Sequence, residues 1–312
     1  MRLVFCGTPE FAVPSLHALL DGGHQIELVL TQPDRPAGRR MELQEPPVKR
    51  AARERGLRIL QPEKIKTNEE LRSQLEALRP DAIIVVAYGR IIPGWMLELP
   101  RFGNLNLHGS LLPKYRGAAP IQWAVANGDT ETGVTTMRLD AGLDTGDVLL
   151  EHALPIGPET TAVELYPKLA AVGADLMIRT LDELQTGAVT PRPQDHTQAT
   201  LAPILTREDG RMELENRTAQ TAYNRWRGFS PWPGAHASFR GKRFLVHRMH
   251  PGSPEQGILR PNELAEIGGL LRVGAAEGTV LVLDEVQIEG KPKLPGTTFA
   301  RDFQLRPGES LA

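Results

Sequence analysis

The sequence predicts an α/β fold over its first half, a mostly parallel sheet with helices on both faces, followed by a smaller β-barrel. Three observations predict it. Asp81 to Ala87 carries a continuous Ala-Ile-Ile-Val-Val-Ala run, the signature of a strand buried on both faces. Apolar strand-like segments alternate with amphipathic helical ones before and after it, as crossover connections between parallel strands require. After residue 188 the texture changes to short strand-like pieces separated by glycine turns, which suits a small barrel better than another βαβ unit.

In order, Arg2 to Cys6 is a short apolar strand, and Phe11 to Leu20 has helical spacing ending at Asp21-Gly22-Gly23, a C-cap pattern. Ile26 to Thr31 is a β-branched second strand. Gln32 to Pro47, with four prolines and one glycine, is a loop. Helices are expected over Val48 to Arg55 and Asn68 to Leu78, and strands over Gly103 to His108, Gly133 to Leu139 and Asp147 to Leu154. Thr161 to Leu184 reads as a long amphipathic helix. These segments make a first domain over 1–188. Residues 189–205, with Pro191, Pro193 and Pro203 among polar residues, read as a linker. A second domain over 206–312 carries strand candidates at Ala237 to Phe239, Arg243 to Arg248, Leu270 to Val273 and Thr279 to Val286.

At 312 residues the chain is long enough for about two domains. Hydrophobic residues at 40% and charged residues at 24% exclude a disordered, collagen-like or coiled-coil chain. The longest apolar runs are far short of the roughly 18 residues of a membrane span. The Leu3 to Cys6 run is too short for a signal-peptide core, so a soluble cytoplasmic protein is expected. One cysteine, Cys6, leaves no internal disulfide and no multi-thiolate metal site. Net charge is −2, yet residues 206–312 hold 15 basic and 13 acidic residues, and Arg225 to Arg248 holds six basic and no acidic ones. Such a cluster suits either a contacted polyanion or a solvated face.

Cys6-Gly7-Thr8-Pro9 follows a strand and precedes a helix, but it has one glycine and Pro9 lacks an N–H. With no P-loop pattern elsewhere, dinucleotide dehydrogenases and P-loop kinases are disfavoured. In Asn104-Leu105-Asn106-Leu107-His108, strand alternation places Asn104, Asn106 and His108 on one face. His108 falls at the strand's carboxyl end, where open α/β sheets bind ligands. An amide and an imidazole there can stabilise an oxyanion, and the histidine can also move a proton. A polar strand face covered by a loop has the same pattern. Asp140 to Asp147 is a turn-rich loop with three carboxylates. It lacks the ligand spacing of an EF-hand and the neighbours of a zinc site, and it suits either a carboxylate that orients a histidine or a plain turn. Ser110-Leu111-Leu112-Pro113 can line an apolar slot at the sheet edge.

Together, Asn-x-His-Gly-Ser-Leu-Leu-Pro (106–113), Arg-Gly-Ala-Ala-Pro-Ile-Gln (116–122) and Asp-x-Gly-Leu-Asp-Thr-Gly-Asp (140–147) resemble the formyltransferases that use 10-formyltetrahydrofolate. Phe-Cys-Gly-Thr-Pro-Glu-Phe-Ala (5–12), Thr-Gln-Pro-Asp-Arg-Pro-Ala-Gly-Arg (31–39), Val-Val-Ala-Tyr-Gly (85–89) and Phe-Ser-Pro-Trp-Pro-Gly-Ala (229–235) resemble the branch whose acceptor is methionine esterified to initiator tRNA. The matches span nearly the whole chain in the family's order. The resemblance implies a Rossmann-like formyltransferase domain and a C-terminal barrel of OB type that binds tRNA. It places catalysis on Asn106, His108 and Asp144 and folate contacts on Ser110, Leu111, Leu112 and Pro113. It also implies a loop over 32–47 that reaches the tRNA acceptor stem. Where the family's loop continues with glycine and further basic residues, this chain reads Gly38-Arg39-Arg40-Met41-Glu42. Arg39 and Arg40 are kept, but Glu42 sets a negative charge beside them and leaves the strength of that contact open.

The expected chemistry is formyl transfer from 10-formyltetrahydrofolate to the methionyl α-amine for translation initiation, with no metal and a monomeric enzyme. Cations mixed with aromatics at 225–229 and 239–244 suit a backbone-tracking RNA surface, with Arg240, Lys242 and Arg243 as phosphate contacts and Trp226, Phe229 and Trp232 as core. The same polar set would serve a formyltransferase acting on a small amine, either an amino-sugar nucleotide or glycinamide ribonucleotide. A formyl-folate hydrolase and a non-catalytic tRNA-binding protein also stay in view.

Overall fold

The computed structural model describes residues 1–37, 42–253 and 259–312. Arg39 and Arg40, the two loop cations expected to meet RNA, lie outside the described residues, as does Met41.

In chain order the elements are β1 (Arg2–Gly7), α1 (Val13–Asp21), β2 (Gln25–Leu30), β3 (Arg35–Ala37), β4 (Glu42–Gln44), α2 (Pro47–Glu54), β5 (Ile59–Leu60), α3 (Glu69–Leu78), β6 (Ala82–Val86), α4 (Gly94–Leu97), β7 (Asn104–His108), α5 (Pro120–Ala126), β8 (Glu131–Arg138), β9 (Val148–Pro155) and α6 (Ala162–Thr186). There follow α7 (Ala219–Phe229), β10 (Ala235–Phe239), β11 (Lys242–Pro251), β12 (Leu264–Ile267), β13 (Leu270–Gly274), β14 (Val280–Ile288), β15 (Leu294–Pro295) and α8 (Gly296–Asp302).

The chain divides into two compact units. The first holds residues 1–120, 131–155 and 165–203, and the second holds 121–130, 156–164 and 204–312. Both depart from the simple expectation of one domain, a linker and a second domain. Residues 189–203 are bonded into the first unit: Val148 and Arg192 exchange backbone hydrogen bonds at 2.9 and 2.8 Å, and Ala202 N donates to Arg116 O at 2.7 Å. Prolines gave this stretch a linker's composition, while the N–H groups of Arg192, Thr200 and Ala202 found partners on Val148, Pro113 and Arg116 of the first unit.

The first unit is a seven-stranded sheet in the order β5-β2-β1-β6-β7-β8-β9. The first five strands pair in parallel, and β8 and β9 pair antiparallel. Strand order runs outward from β1 to β5 and then returns to β6 on the other side, so the topological switch lies between β1 and β6. The central strands are apolar on both faces because both are covered. Val4, Cys6, Leu28, Leu30, Ile83 and Val85 pack with Leu71 and Leu75 of α3. Local signals set the helix ends: Asn68 accepts the Leu71 N–H at 2.9 Å as N-cap of α3, and Gly22 ends α1. Burial pushes the Cys6 thiol well above its ordinary range, which makes it a core residue with no nucleophilic role.

The second unit is an antiparallel sheet in the order β10-β11-β14-β13-β12, with β15 on β14. Residues 309–312 close it. Leu264 N donates to Glu309 O at 2.8 Å on the β12 side, and Ser238 and Ala312 exchange bonds at 2.7 and 2.8 Å on the β10 side. The closed barrel is filled by Phe239, Phe244 and Phe299, whose ring centroids lie 5.2 to 6.3 Å apart. Among the described residues no helix is long and apolar enough to cross a membrane.

Candidate active site

β7 lies between parallel β6 and antiparallel β8, with Asn106 opposite Val85 and Met137 and His108 opposite Thr135. Strand period two puts Asn104, Asn106 and His108 on one face, but their fates differ. The Asn104 amide donates to the carbonyls of Met96 and Leu97 at 2.9 and 3.2 Å and so anchors α4. Asn106 is 8% exposed, and its side-chain amide has no partner among the described residues. His108, 5% exposed, sits at the carboxyl end of the strand.

The His108 ring is oriented by the chain that follows it. Nε2 lies 2.8 Å from Tyr115 O. A carbonyl oxygen only accepts, so Nε2 carries the proton and Nδ1 is the nitrogen left for chemistry. Nδ1 lies 3.7 Å from Asp144 Oδ2, beyond a direct hydrogen bond but well within range of a charge. The same carboxylate oxygen accepts the Gly117 N–H at 2.8 Å. Asp144 has φ +50°, a left-handed conformation uncommon outside glycine, and Tyr115 has φ +61°. Glycine is obligatory beside both. A Cβ on Gly146 would fall 1.9 Å from Arg138 O, and one on Gly117, at φ +117°, would fall 2.8 Å from Ala202 O. Asp140 braces the start of the loop by accepting from Gly142 N at 3.0 Å and Thr145 Oγ1 at 2.7 Å. The structure therefore brings His108 and Asp144 together at the carboxyl end of β7, with Asn106 two residues before His108 on the same strand face.

Sequence reasoning missed Gln194 and Arg116. Gln194 Nε2 donates to Asp144 O at 2.9 Å and Gly146 O at 2.7 Å, and its Oε1 accepts from Arg116 Nη2 at 2.6 Å and Nε at 3.2 Å. Nothing local marks either residue for this role: Gln194 sits in a proline-rich polar stretch, and Arg116 opens a glycine- and alanine-rich turn. Also missed was the network over the carboxyl ends of β1, β2 and β6. Gln32 Nε2 donates to Tyr88 O and Gly89 O at 3.2 and 3.1 Å, and Thr8 Oγ1 donates to Tyr88 O at 2.9 Å. Gln61 and Lys49 converge on Asp34, whose carboxyl is held below its usual range first by the Gln61 bond and then by Lys49. This fixes the base of the 32–47 loop.

Of the segment expected to meet folate, Ser110 and Leu112 are turned inward. Ser110 is fully buried with Oγ donating to Lys114 O at 2.6 Å, and Leu112 packs with Met137 and Val148. Leu111 and Pro113 keep partial exposure, so a flat ligand would meet those two side chains and the backbone.

Comparison with known proteins decides what this arrangement belongs to. Residues 1–181 match the formyl transferase family and residues 204–304 match the formyl transferase C-terminal domain. Methionyl-tRNA formyltransferase of Acidobacterium capsulatum is 59% identical over 311 residues, covering 100% of this chain and 99% of the relative. That of Geobacter sulfurreducens is 44% identical, covering 100% and 96%. The chain belongs to the methionyl-tRNA formyltransferase family. Among solved structures, an N-formyltransferase from Helicobacter canadensis, in complex with folinic acid and dTDP-3-aminofucose, superposes with TM-score 0.66 at 17% identity, covering 91% of this chain and 98% of that one. A glycinamide ribonucleotide transformylase from Symbiobacterium toebii gives 0.52 at 21% identity over 62% and 94%. At these identities the likeness is one of fold.

In this methionyl-tRNA formyltransferase family member the cations expected to meet RNA divide into two kinds. Arg240 is exposed but already has partners on the barrel itself: it holds Glu309 at 2.8 and 2.6 Å and donates to Phe303 O at 2.9 Å. That contact pulls the Glu309 carboxyl down to about 2. Lys242 and Arg243 have no side-chain partner among the described residues. Arg243 instead lines a groove of about 430 Å³ with Arg207, Arg211 and His236. The stretch 225–229 is helix α7, and its cations face inward. Arg227 is 3% exposed and donates to Gly157 O and Thr160 O, while Arg225 lies over the Phe229 ring. Phe229 is fully buried and Trp226 packs against the barrel core, as expected, but Trp232 is 57% exposed. Apolar character alone did not bury it.

Proposed function

We propose that this chain transfers the formyl group of 10-formyltetrahydrofolate to the α-amine of methionine carried on initiator tRNA, the step that readies that tRNA for translation initiation. The observation that carries the proposal is an imidazole nitrogen (His108 Nδ1) and a carboxylate (Asp144) 3.7 Å apart at the carboxyl end of β7, with a partner-free amide (Asn106) on the same strand face, in a chain of this family. The neutral amine attacks the formyl carbon, and negative charge gathers on the formyl oxygen. The Asn106 N–H donates to that oxygen. His108 Nδ1 has the lone pair while the ring is neutral, so it accepts the proton the amine loses. The imidazolium then donates to the oxyanion and, as the carbon–N10 bond breaks, returns the proton to N10 of the departing tetrahydrofolate. Asp144 supplies the counter-charge 3.7 Å from Nδ1. Leu111, Pro113 and the backbone of 110–113 take the folate. The scheme uses one chain and no metal, and its acceptor places it in the cytoplasm.

The deciding experiment supplies 10-formyltetrahydrofolate with methionyl initiator tRNA, methionyl elongator tRNA, free methionine and no acceptor. Formylation of the initiator alone is expected. Formate release without an acceptor would mean a hydrolase, and formylation only of small amines would mean the other transferase class.

A further inference from the structure

We infer that Gln194, held by Arg116, is a positioning residue for Asp144, and that the proline-rich segment 190–202 is therefore a working wall of the site and not a tether. The inference rests on the formyl-transfer reading and deepens it.

Asp144 needs outside support. Its backbone is left-handed at φ +50°, and its carboxylate stands 3.7 Å from His108 Nδ1 without a direct bond to it. Three contacts set its place. One is the Gly117 N–H on Oδ2 at 2.8 Å. The others come from Gln194, whose Nε2 bridges the carbonyls on either side of Thr145, those of Asp144 and Gly146, at 2.9 and 2.7 Å. Two hydrogens on one planar nitrogen fix the separation and direction of two peptide groups, and so the direction in which Asp144 leaves the backbone.

The other end of Gln194 is clamped as firmly. Arg116 donates to its Oε1 through both Nε and Nη2, and Nη2 also reaches His196 Nδ1 at 3.0 Å. Arg116 is 7% exposed and Gln194 8% exposed. Among the described residues Arg116 has no carboxylate partner, an expensive arrangement for a buried guanidinium whose use is to fix an amide. The backbone of Arg116 is held in turn by the same segment: its N–H donates to Thr200 O at 2.8 Å and its carbonyl accepts from Ala202 N at 2.7 Å. The loop that carries Tyr115 and Gly117, the loop that carries Asp144, and segment 190–202 are thus tied to one another, and to His108 through Tyr115 O, by hydrogen bonds. A displacement of about an ångström at a reacting group costs on the order of a hundredfold in rate.

The test is Gln194→Glu in the full chain, assayed with 10-formyltetrahydrofolate and methionyl initiator tRNA. Glu has the same shape. It keeps and strengthens the Arg116 bond, but it sets an acceptor oxygen against the two carbonyls. We expect kcat to fall by about 10- to 100-fold while KM for both substrates stays within about twofold; the two carbonyls left unpaired also lower the melting temperature by a few degrees, which the ion pair with Arg116 partly offsets. In an Asp144→Asn background the same substitution should change kcat by less than about twofold, because the group it positions is already disabled. A structural role alone would show the same loss in both backgrounds, and that result, or a Gln194→Glu enzyme within about twofold of wild type, overturns the inference. Should Gln194→Glu fail to fold, Gln194→Met, neutral and of similar volume, goes through the same cycle with the same criteria. An unsubstituted chain that cannot formylate the tRNA at all overturns the underlying reading before any variant is compared. An active one with an indifferent Gln194 overturns only the positioning role.

Discussion

Single side chains on β7 show how one strand face divides its work. Asn104 and Asn106 are two residues apart and chemically identical, yet only Asn106 has a free amide, because α4 presents its last carbonyls to Asn104. Replacing Asn106 or His108 with alanine should lower kcat by about 10²- to 10⁴-fold in a folded protein, the range for an oxyanion donor or a proton-transfer group. Asn104→Ala should do the reverse: kcat within a few-fold of wild type, with stability lowered by about 1–3 kcal/mol from the carbonyls left unpaired, read by denaturant unfolding. If Asp144 works through His108, the double variant Asp144→Asn/His108→Ala should be little worse than the poorer single one. Multiplicative losses in the kinetic cycle would assign them separate roles.

Loops and hairpins carry the next set of constraints. The Asp144 loop fits only because Gly146 passes 1.9 Å, by the measure of an added Cβ, from Arg138 O. Gly146→Ala should therefore lower kcat by about tenfold or more with little change in the bound fraction of folate, seen by comparing turnover with equilibrium binding. In the barrel, Arg240 ties the β10–β11 turn to Glu309. Arg240→Ala should lower the melting temperature by a few degrees near neutral pH and leave KM for tRNA close to wild type. The sign of its pH dependence follows from the Glu309 carboxyl, lowered from 4.5 to about 2. The pair's stabilisation is complete above about pH 4.5 and is lost as pH falls toward 2, so the gap between wild type and Arg240→Ala should close in acid.

At the scale of the whole molecule, chemistry and RNA affinity should separate. Every group assigned to the formyl transfer lies in the first unit, while Arg207, Arg211 and Arg243 share a groove in the second. Neutralising Lys242, Arg243 and Arg211 together should raise KM for tRNA and leave kcat at saturation nearly unchanged. For every phosphate that a removed cation would have neutralised, the slope of log affinity against log salt should flatten by roughly one unit or slightly less. Arg39→Ala/Arg40→Ala should lower kcat as well, since their loop is rooted on the Asp34, Lys49 and Gln61 network of the first unit. Steady-state kinetics across a salt series reads both. An unchanged KM and salt slope in the barrel variant would return those cations to the role of a solvated face.

The sequence by itself determined the layered α/β plan, the barrel that follows it, and the placing of Asn106 and His108 on one strand face. These are short-range matters: burial on both faces writes apolar runs, strand period two writes alternation, and glycine marks turns. Order along the chain also made the family legible, because its motifs sit at loops that must stay in register with the sheet. Only the tertiary structure decided which polar groups are spent on partners within the protein itself. Asn104, Ser110, Arg227 and Arg240 look as available in sequence as Asn106, Lys242 and Arg243, and each was claimed by a carbonyl or carboxylate near or far along the chain. The same holds for residues 189–203, whose composition is a linker's. Gln194 is 50 residues from Asp144 and 78 from Arg116, and a hydrogen bond across such distances leaves no periodicity to read.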